Sequence, residues 1–150
     1  MGLKQVMLVG NPNSGKSSIF HGLTHAANFK PEVQEGNCIW LPEFQFIDCP
    51  GFYSLTSGQS TSLAMQFGAQ ELLNNPPHLI LNVINANELE RQLLLSSQLL
   101  ELGIPMVVVL THLDKLSTVI NTDLLEKLLG VPVYALDNYE SSSIQALSSW

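Results

Sequence analysis

Short apolar segments alternate along this chain with longer segments whose apolar residues recur at helical spacing. The short apolar segments predict buried strands over residues 3–9, 44–48, 78–84, 105–111 and 131–136. The helical spacing predicts helices over residues 16–25, 61–73, 88–102 and 123–129, with a truncated last helix from residue 141. Because continuous apolar strands alternate with helices, the pattern predicts an α/β fold with a mostly parallel central sheet and helices on both faces.

The helix ends carry signals of their own. In the helix predicted over residues 88–102, Leu95, Leu99 and Leu102 form the stripe expected to face the core. We expect Asn85 to cap this helix and Gly103 to end it. Residues 28–43 follow neither pattern, so they are predicted to be the least regular part of the chain.

Composition limits the kinds of partner that the chain can bind. Of its 150 residues 45% are hydrophobic and 13% charged, which is enough apolar material for the core of one domain. The net charge of −7 argues against a nucleic-acid surface, because such surfaces depend on clustered Lys and Arg. No apolar run reaches the roughly 18 residues of a membrane span. Cys38 and Cys49 are expected to be reduced cytosolic thiols.

The sequence GNPNSGKSS, from Gly10 to Ser18, follows the first predicted strand and opens the first predicted helix. Its spacing is that of a phosphate-binding loop, in which glycines let backbone N–H groups wrap around a phosphate. Lys16 would reach the β- and γ-phosphates, and the Ser17 hydroxyl would bind Mg²⁺. In a parallel sheet ligands bind at the carboxyl ends of the strands, so this position fits a nucleotide site.

A second motif, DCPG, closes the strand predicted over residues 44–48. Asp48 at this strand end can hold Mg²⁺ through water, and the Gly51 amide can meet a γ-phosphate and act as a switch. Taken alone, Pro-Gly is also ordinary turn chemistry.

A third motif, THLD, closes the strand predicted over residues 105–111. The Asp114 carboxylate can accept two hydrogen bonds, from guanine N1–H and N2–H₂, which adenine does not offer as a pair. Taken alone, Asp114 is more typical of an ordinary helix cap than of a base-reading residue. Three such motifs in order at strand ends predict a guanine-nucleotide-binding domain.

The motifs GNPNSGKSSIF, DCPGFYSL and LLGVPV, and the long segment LNVINANELERQLLLSSQLLELGIP, resemble the cytosolic GTP-binding domain of the bacterial ferrous-iron transporter FeoB. The resemblance implies the G-domain fold of P-loop NTPases over residues 1–150, with a short first switch. It implies GTP and GDP as ligands and Mg²⁺ as cofactor. The nucleotide contacts predicted in this way are Asn11, Asn13, Ser14, Gly15, Lys16, Ser17, Ser18, Asp48, Gly51, Thr111 and Asp114.

The resemblance also implies a setting for the domain. Family members join this domain to a membrane permease domain that moves Fe²⁺, so the chain is expected to be a soluble cytoplasmic domain of an inner-membrane protein. The permease domain and the family's helical regulatory module are not in this sequence, and the truncated last helix favours an excised domain. In potassium-stimulated relatives an Asn of the phosphate loop helps to bind K⁺, and Asn13 matches it.

Among the departures from the family pattern, two bear most directly on nucleotide binding and hydrolysis. The family has a threonine in the first switch that binds Mg²⁺ and the γ-phosphate, whereas residues 27–43 contain neither Thr nor Ser. Thr111 stands where the family usually has Asn, which predicts weaker nucleotide affinity without lost specificity. We therefore expect a slow GTPase in which Lys16 and Gly51 act on the phosphates. The alternatives are a guanine-nucleotide-binding module that does not hydrolyse GTP and, disfavoured by DCPG and THLD, a P-loop kinase of small molecules.

Overall fold

In the computed structural model, one sheet organises the chain. The structure describes residues 4–12, 14–16, 19, 33–35, 38–40, 44–49, 51, 53, 55, 63–113 and 120–135. Within these residues the strands are β1 (Lys4–Val9), β2 (Val33–Glu35), β3 (Cys38–Trp40), β4 (Phe44–Asp48), β5 (Leu79–Asn85), β6 (Met106–Thr111) and β7 (Val133–Ala135). Their order in the sheet is β2-β3-β4-β1-β5-β6-β7.

Five of these strands, β4, β1, β5, β6 and β7, are parallel, as the apolar segments predict. Strand β1 lies between β4 and β5, with Leu8 opposite Asp48 on one side and Leu81 on the other. The carboxyl ends of β1 and β4 therefore lie side by side. This register brings the two phosphate-side motifs to the same edge of the sheet.

Strands β2 and β3 are antiparallel and extend the sheet beyond β4, so six residues of the segment predicted to be the least regular, 28–43, lie in strands that the sequence analysis did not predict. Each strand is three residues long, too short for an alternating pattern to stand out. The available signal was Gly36-Asn37, a dipeptide typical of two-residue hairpin connections.

Three described helices lie near their predicted positions: α1 (Leu63–Asn74), α2 (Leu89–Glu101) and α3 (Thr122–Leu129). The Asn85 side chain caps a 3₁₀ turn, Ala86–Glu88, that precedes α2, so the predicted cap acts one step earlier than expected. Gly103 and Gly130 follow α2 and α3 with φ of 74° and 75°, a left-handed conformation that glycine adopts without strain. Of the helix predicted over residues 16–25, Lys16 and Ile19 are described, and both are helical. The predicted helix from residue 141 lies outside the described residues.

Alternate residues of the strands fill a core on each face of the sheet. On one face Val6 and Leu8 pack with Ile19 and Phe46. On the other face α1, α2 and α3 cover the strands with apolar side chains, which are Ala69, Leu72, Leu95, Leu99 and Leu125. Leu102, predicted to share the inner stripe of α2, follows the end of that helix and is half-buried against this second core. Among the described residues, no helix is both long and apolar enough to cross a lipid bilayer.

Candidate functional site

The loop after β1 is packed tightly where the chain leaves the sheet. A Cβ at Gly10 would collide with the Val83 carbonyl oxygen and lie 2.7 Å from Ser14 Oγ, so a side chain does not fit there. The Ser14 N–H donates to the Asn11 carbonyl oxygen at 3.1 Å, which closes the loop on itself. Gly15 has φ of 104°, a conformation that other residues rarely adopt. The two glycines of the motif are thus required by the loop's own geometry.

Lys16 is buried at the mouth of this loop, with 7% of its surface exposed. Its Nζ donates to the Asn11 carbonyl oxygen at 3.3 Å. Burial lowers the pKa of Lys16, and the nearby Asp48 carboxylate is the main group that opposes this shift. Burial destabilises the charged form of a lysine, and an anion beside the ammonium group compensates for this cost. The loop can therefore hold a phosphate next to Lys16.

Two further polar atoms of the loop are buried with their hydrogen-bonding capacity unused. Within the described residues, Asn11 Oδ1 and Ser14 Oγ have no hydrogen-bond partner. Asn11 is 4% exposed and Ser14 is 0% exposed, so bulk solvent does not satisfy these atoms. Buried polar atoms are nearly always paired in native proteins, and exceptions concentrate where a ligand or an ion belongs.

The turn after β4 lies directly on the phosphate loop. The Cys49 N–H donates to the Leu8 carbonyl oxygen at 3.2 Å, which ties the turn to the end of β1. A Cβ at Gly51 would lie 2.8 Å from the Pro12 nitrogen and 3.0 Å from Lys16 Nζ. Glycine at position 51 therefore lets this turn approach both the loop backbone and the lysine.

Thr111, at the end of β6, braces the loop from the other side. Its hydroxyl donates to the Ser14 carbonyl oxygen at 2.5 Å and also lies 3.2 Å from the Ile84 carbonyl oxygen. Because a trans peptide is planar, its C=O and N–H point in opposite directions. Holding the Ser14 carbonyl toward Thr111 therefore turns the Gly15 N–H away from Thr111, as an amide aimed at a ligand requires. The expectation of weaker nucleotide affinity stays a prediction.

The structure thus brings most of the predicted site residues together. Seven of them meet around the carboxyl ends of β1, β4 and β6, namely Asn11, Ser14, Gly15, Lys16, Asp48, Gly51 and Thr111. Four others, Asn13, Ser17, Ser18 and Asp114, lie outside the described residues, so their predicted roles stay predictions.

The metal predictions depend partly on residues that are not described. Asp48, the predicted Mg²⁺ residue, is half-buried at the end of β4 and close enough to Lys16 to influence its pKa. Among the described residues, no group of three or more His, Cys, Asp or Glu side chains could form a metal site. An oxygen site built from Asp48, a hydroxyl and phosphate oxygens, as Mg²⁺ prefers, would not depend on such a group.

Sequence reasoning missed a buried polar network behind the loop. Asn82 in β5 donates from Nδ2 to the Val9 carbonyl oxygen at 3.2 Å, and its Oδ1 accepts from the Ser96 hydroxyl in α2. Gln92, also in α2, accepts from the Asn85 N–H at 2.8 Å. The sequence did contain a signal for this network. Asn82 stands inside an apolar strand, and Gln92 and Ser96 are four residues apart on one side of the next helix. This network fixes α2 to the strand that ends in the phosphate loop.

A cavity of about 400 Å³ borders the loop, the turn after β4 and helix α2. Its lining is formed by Asn11, Tyr53, Glu90, Arg91 and Leu94. The exposed Arg91 side chain lies 3.6 Å from Glu88, a pair on the outer face of the helix. The loop, the turn and α2 are therefore neighbours around one opening.

Comparison with known proteins gives this arrangement a context. The sequence matches the family described as ferrous iron transport protein B over residues 4–149. It is 41% identical to the Fe(2+) transporter FeoB of Salmonella typhimurium and 40% identical to that of Escherichia coli, in each case over 93% of this chain and 20% of the relative. The chain therefore spans about a fifth of the length of these relatives.

Solved structures resemble the fold over nearly the whole chain. The FeoB G-domain from Methanococcus jannaschii superposes with a TM-score of 0.79 at 33% identity, covering 99% of this chain and 94% of that one. The S. thermophilus NFeoB bound to GDP·AlF4− and K⁺ superposes with a TM-score of 0.77 at 30% identity, covering 97% of this chain and 60% of that one. The prediction of a G-domain fold is confirmed by these likenesses.

Proposed function

Because the chain belongs to the ferrous iron transport protein B family, we propose that it binds GTP and GDP through its phosphate loop, hydrolyses GTP slowly, and regulates ferrous iron transport. The observation that carries the proposal is the buried Lys16 ammonium on the same loop as the buried, unpartnered Ser14 hydroxyl. A diphosphate would add negative charge beside the Lys16 ammonium and accept a hydrogen bond from the Ser14 hydroxyl. Asp114 would then select guanine.

The proposal includes the metal ions that such a site uses. Ser17 would bind Mg²⁺ directly and Asp48 through water, since Mg²⁺ prefers oxygen ligands and keeps several of its waters. Asn13 would help to bind K⁺, in keeping with the S. thermophilus relative bound to K⁺. The cations would add positive charge where negative charge gathers as the β–γ bond breaks.

The regulatory part of the proposal concerns a larger protein. The relatives are Fe(2+) transporters about five times longer than the matched segment, so a membrane permease domain is the proposed partner. The domain would act from the cytoplasmic side of the inner membrane. Gly51, which lies close to the loop lysine, would respond to the presence or absence of the γ-phosphate. The conformation of the turn that follows Gly51 would then change with the bound nucleotide.

A second candidate function is binding without hydrolysis. Residues 27–43 contain neither Thr nor Ser, so this segment offers no hydroxyl to hold Mg²⁺ against a γ-phosphate. Without that ligand the closed state loses part of its charge stabilisation, and the domain would signal by occupancy alone.

The deciding experiment measures binding of GDP, a non-hydrolysable GTP analogue and ATP to the unmodified chain and to Lys16→Ala. Loss of the charged donor should weaken GDP binding roughly ten- to hundredfold. The matched control is Lys127→Ala, which removes an exposed lysine of α3 and should leave affinity unchanged. Equal competition by ATP, or unchanged GDP affinity in Lys16→Ala, would refute the proposal.

Two further measurements separate its parts. Asp114→Asn should lower the affinity for guanine nucleotides and raise the affinity for xanthine nucleotides, because the amide can donate a hydrogen bond where the carboxylate accepts one. The control is Asp123→Asn, which changes an exposed acidic residue of α3. Phosphate release from GTP, measured in K⁺ and in Na⁺, then separates the two candidates. Release at the buffer rate in both salts, with GDP still bound tightly, would select the non-hydrolysing module.

A further inference from the structure

Helix α2 carries one side chain that reaches the turn behind Gly51. The Gln98 side-chain carbonyl accepts a hydrogen bond from the Leu55 backbone N–H at 2.7 Å. Leu55 is four residues after Gly51, and its own side chain is half-buried against the core under α2. This bond therefore joins the segment that contains Gly51 to the helix.

The helix end of this bond is held firmly. Two residues before Gln98, Ser96 bonds to Asn82, and six residues before it Gln92 accepts from the Asn85 N–H at 2.8 Å. Asn82 in turn donates to the Val9 carbonyl oxygen, directly before the phosphate loop. Gln98 is thus placed relative to the loop by a chain of buried hydrogen bonds.

The turn end of this bond bears on the phosphate loop. The close approach of Gly51 to Pro12 and Lys16 leaves no space for a side chain at position 51. Tyr53 in the same turn lines the cavity that also borders Asn11 and Leu94 of α2. Among its described residues, the turn therefore approaches the loop at Gly51 and bonds to the helix at Leu55.

We infer that Gln98 is a positioning residue that sets the preference for guanine nucleotides with a γ-phosphate over diphosphates. This inference rests on the proposed function. By accepting a hydrogen bond from the Leu55 N–H, Gln98 holds Gly51 against the loop before the nucleotide binds. Binding of a γ-phosphate then costs less conformational entropy, because the Gly51 N–H is already in place. The Gly51 N–H would meet the γ-phosphate, which a diphosphate lacks, so GDP affinity should depend less on the bond.

The test compares Kd values for GDP and for a non-hydrolysable GTP analogue in three variants. Gln98→Leu removes the acceptor and should raise the ratio of the analogue's Kd to that of GDP roughly two- to tenfold, the value of one net hydrogen bond. Gln98→Glu keeps an acceptor oxygen and should restore the ratio. Ser97→Ala is the matched control, because Ser97 is exposed on the same helix and its hydroxyl bonds within that helix, to the Leu94 carbonyl oxygen.

Each outcome decides the matter. An unchanged ratio in Gln98→Leu, an equal loss of both affinities, or failure of Gln98→Glu to restore the ratio would overturn the inference and leave the proposed function intact. Failure of the unmodified chain to bind either nucleotide would overturn both. If Gln98→Leu folds poorly, hydrogen exchange of the Leu55 amide in the unmodified chain is the deciding measurement. The Leu55 N–H should exchange more slowly with the GTP analogue bound than with GDP bound. Equal exchange rates would refute the inference.

Discussion

Replacing Thr111 with Val tests whether a hydroxyl at the end of β6 shapes the phosphate loop. Val has nearly the same shape as Thr but cannot donate a hydrogen bond, so packing at this fully buried position is kept. The Ser14 carbonyl, which accepts from Thr111 at 2.5 Å, would lose this donor. The peptide between Ser14 and Gly15 would then be free to rotate, and the Gly15 N–H would lose its fixed direction.

The magnitude follows from the burial of the acceptor. Leaving a buried carbonyl without its donor costs about 1–3 kcal/mol of folding free energy. In a chain of this size each kcal/mol lowers Tm by roughly 2–4 °C. If the free energy of GDP binding becomes less favourable by about 1.4 kcal/mol as a result, GDP affinity drops about tenfold.

The assay pairs thermal unfolding with GDP titration, and Thr111→Ser is the matched control. Ser keeps the hydroxyl and loses one methyl group, which costs about 1 kcal/mol of stability. The two variants should therefore differ little in Tm, while Thr111→Ser keeps GDP affinity within about threefold. The brace would be refuted if Thr111→Val bound GDP as tightly as the unmodified chain, or if both variants lost affinity equally.

Three other predictions concern single groups. Gly51→Ala should weaken binding of a GTP analogue more than that of GDP in a titration, because the new methyl group meets the Lys16 region; equal loss would contradict this. Burial raises the pKa of Cys49 to about 12. Because the pKa of the folded-state thiol lies above the ordinary 9.0, the stability that the protonated Cys49 contributes should be full below pH 9 and should be lost as the pH rises from 9 to about 12, as measured by urea unfolding. Alkylation of Cys49 at neutral pH should be slow until the chain unfolds. Ser96→Ala should cost about 1–2 kcal/mol in urea unfolding, against almost nothing for the exposed Ser97→Ala; equal losses would contradict the buried network.

The pattern of apolar residues was sufficient for the parallel part of the sheet. Strands β1, β5 and β6 are buried on both faces, so nearly every position is apolar and each strand stands out from the amphipathic helices beside it. The short hairpin of β2 and β3 could not be found in this way. Strand β3 pairs with β2 on one side and with β4 on the other, and no local pattern reveals β4 as its neighbour.

By itself the sequence determined which chemical groups stand at the strand ends, because local motifs such as the phosphate loop encode both a turn and its functional atoms. It also determined Gly15, since a left-handed conformation is a need of the local backbone, whereas the crowding of Gly10 by the Val83 carbonyl oxygen is a tertiary contact. Tertiary structure alone decided how these groups act on one another. Thr111 and Ser14 are 97 residues apart, and the pKa of Lys16 depends on burial. Hydrogen bonds and desolvation act over a few ångströms, so distances between remote segments had to be known first.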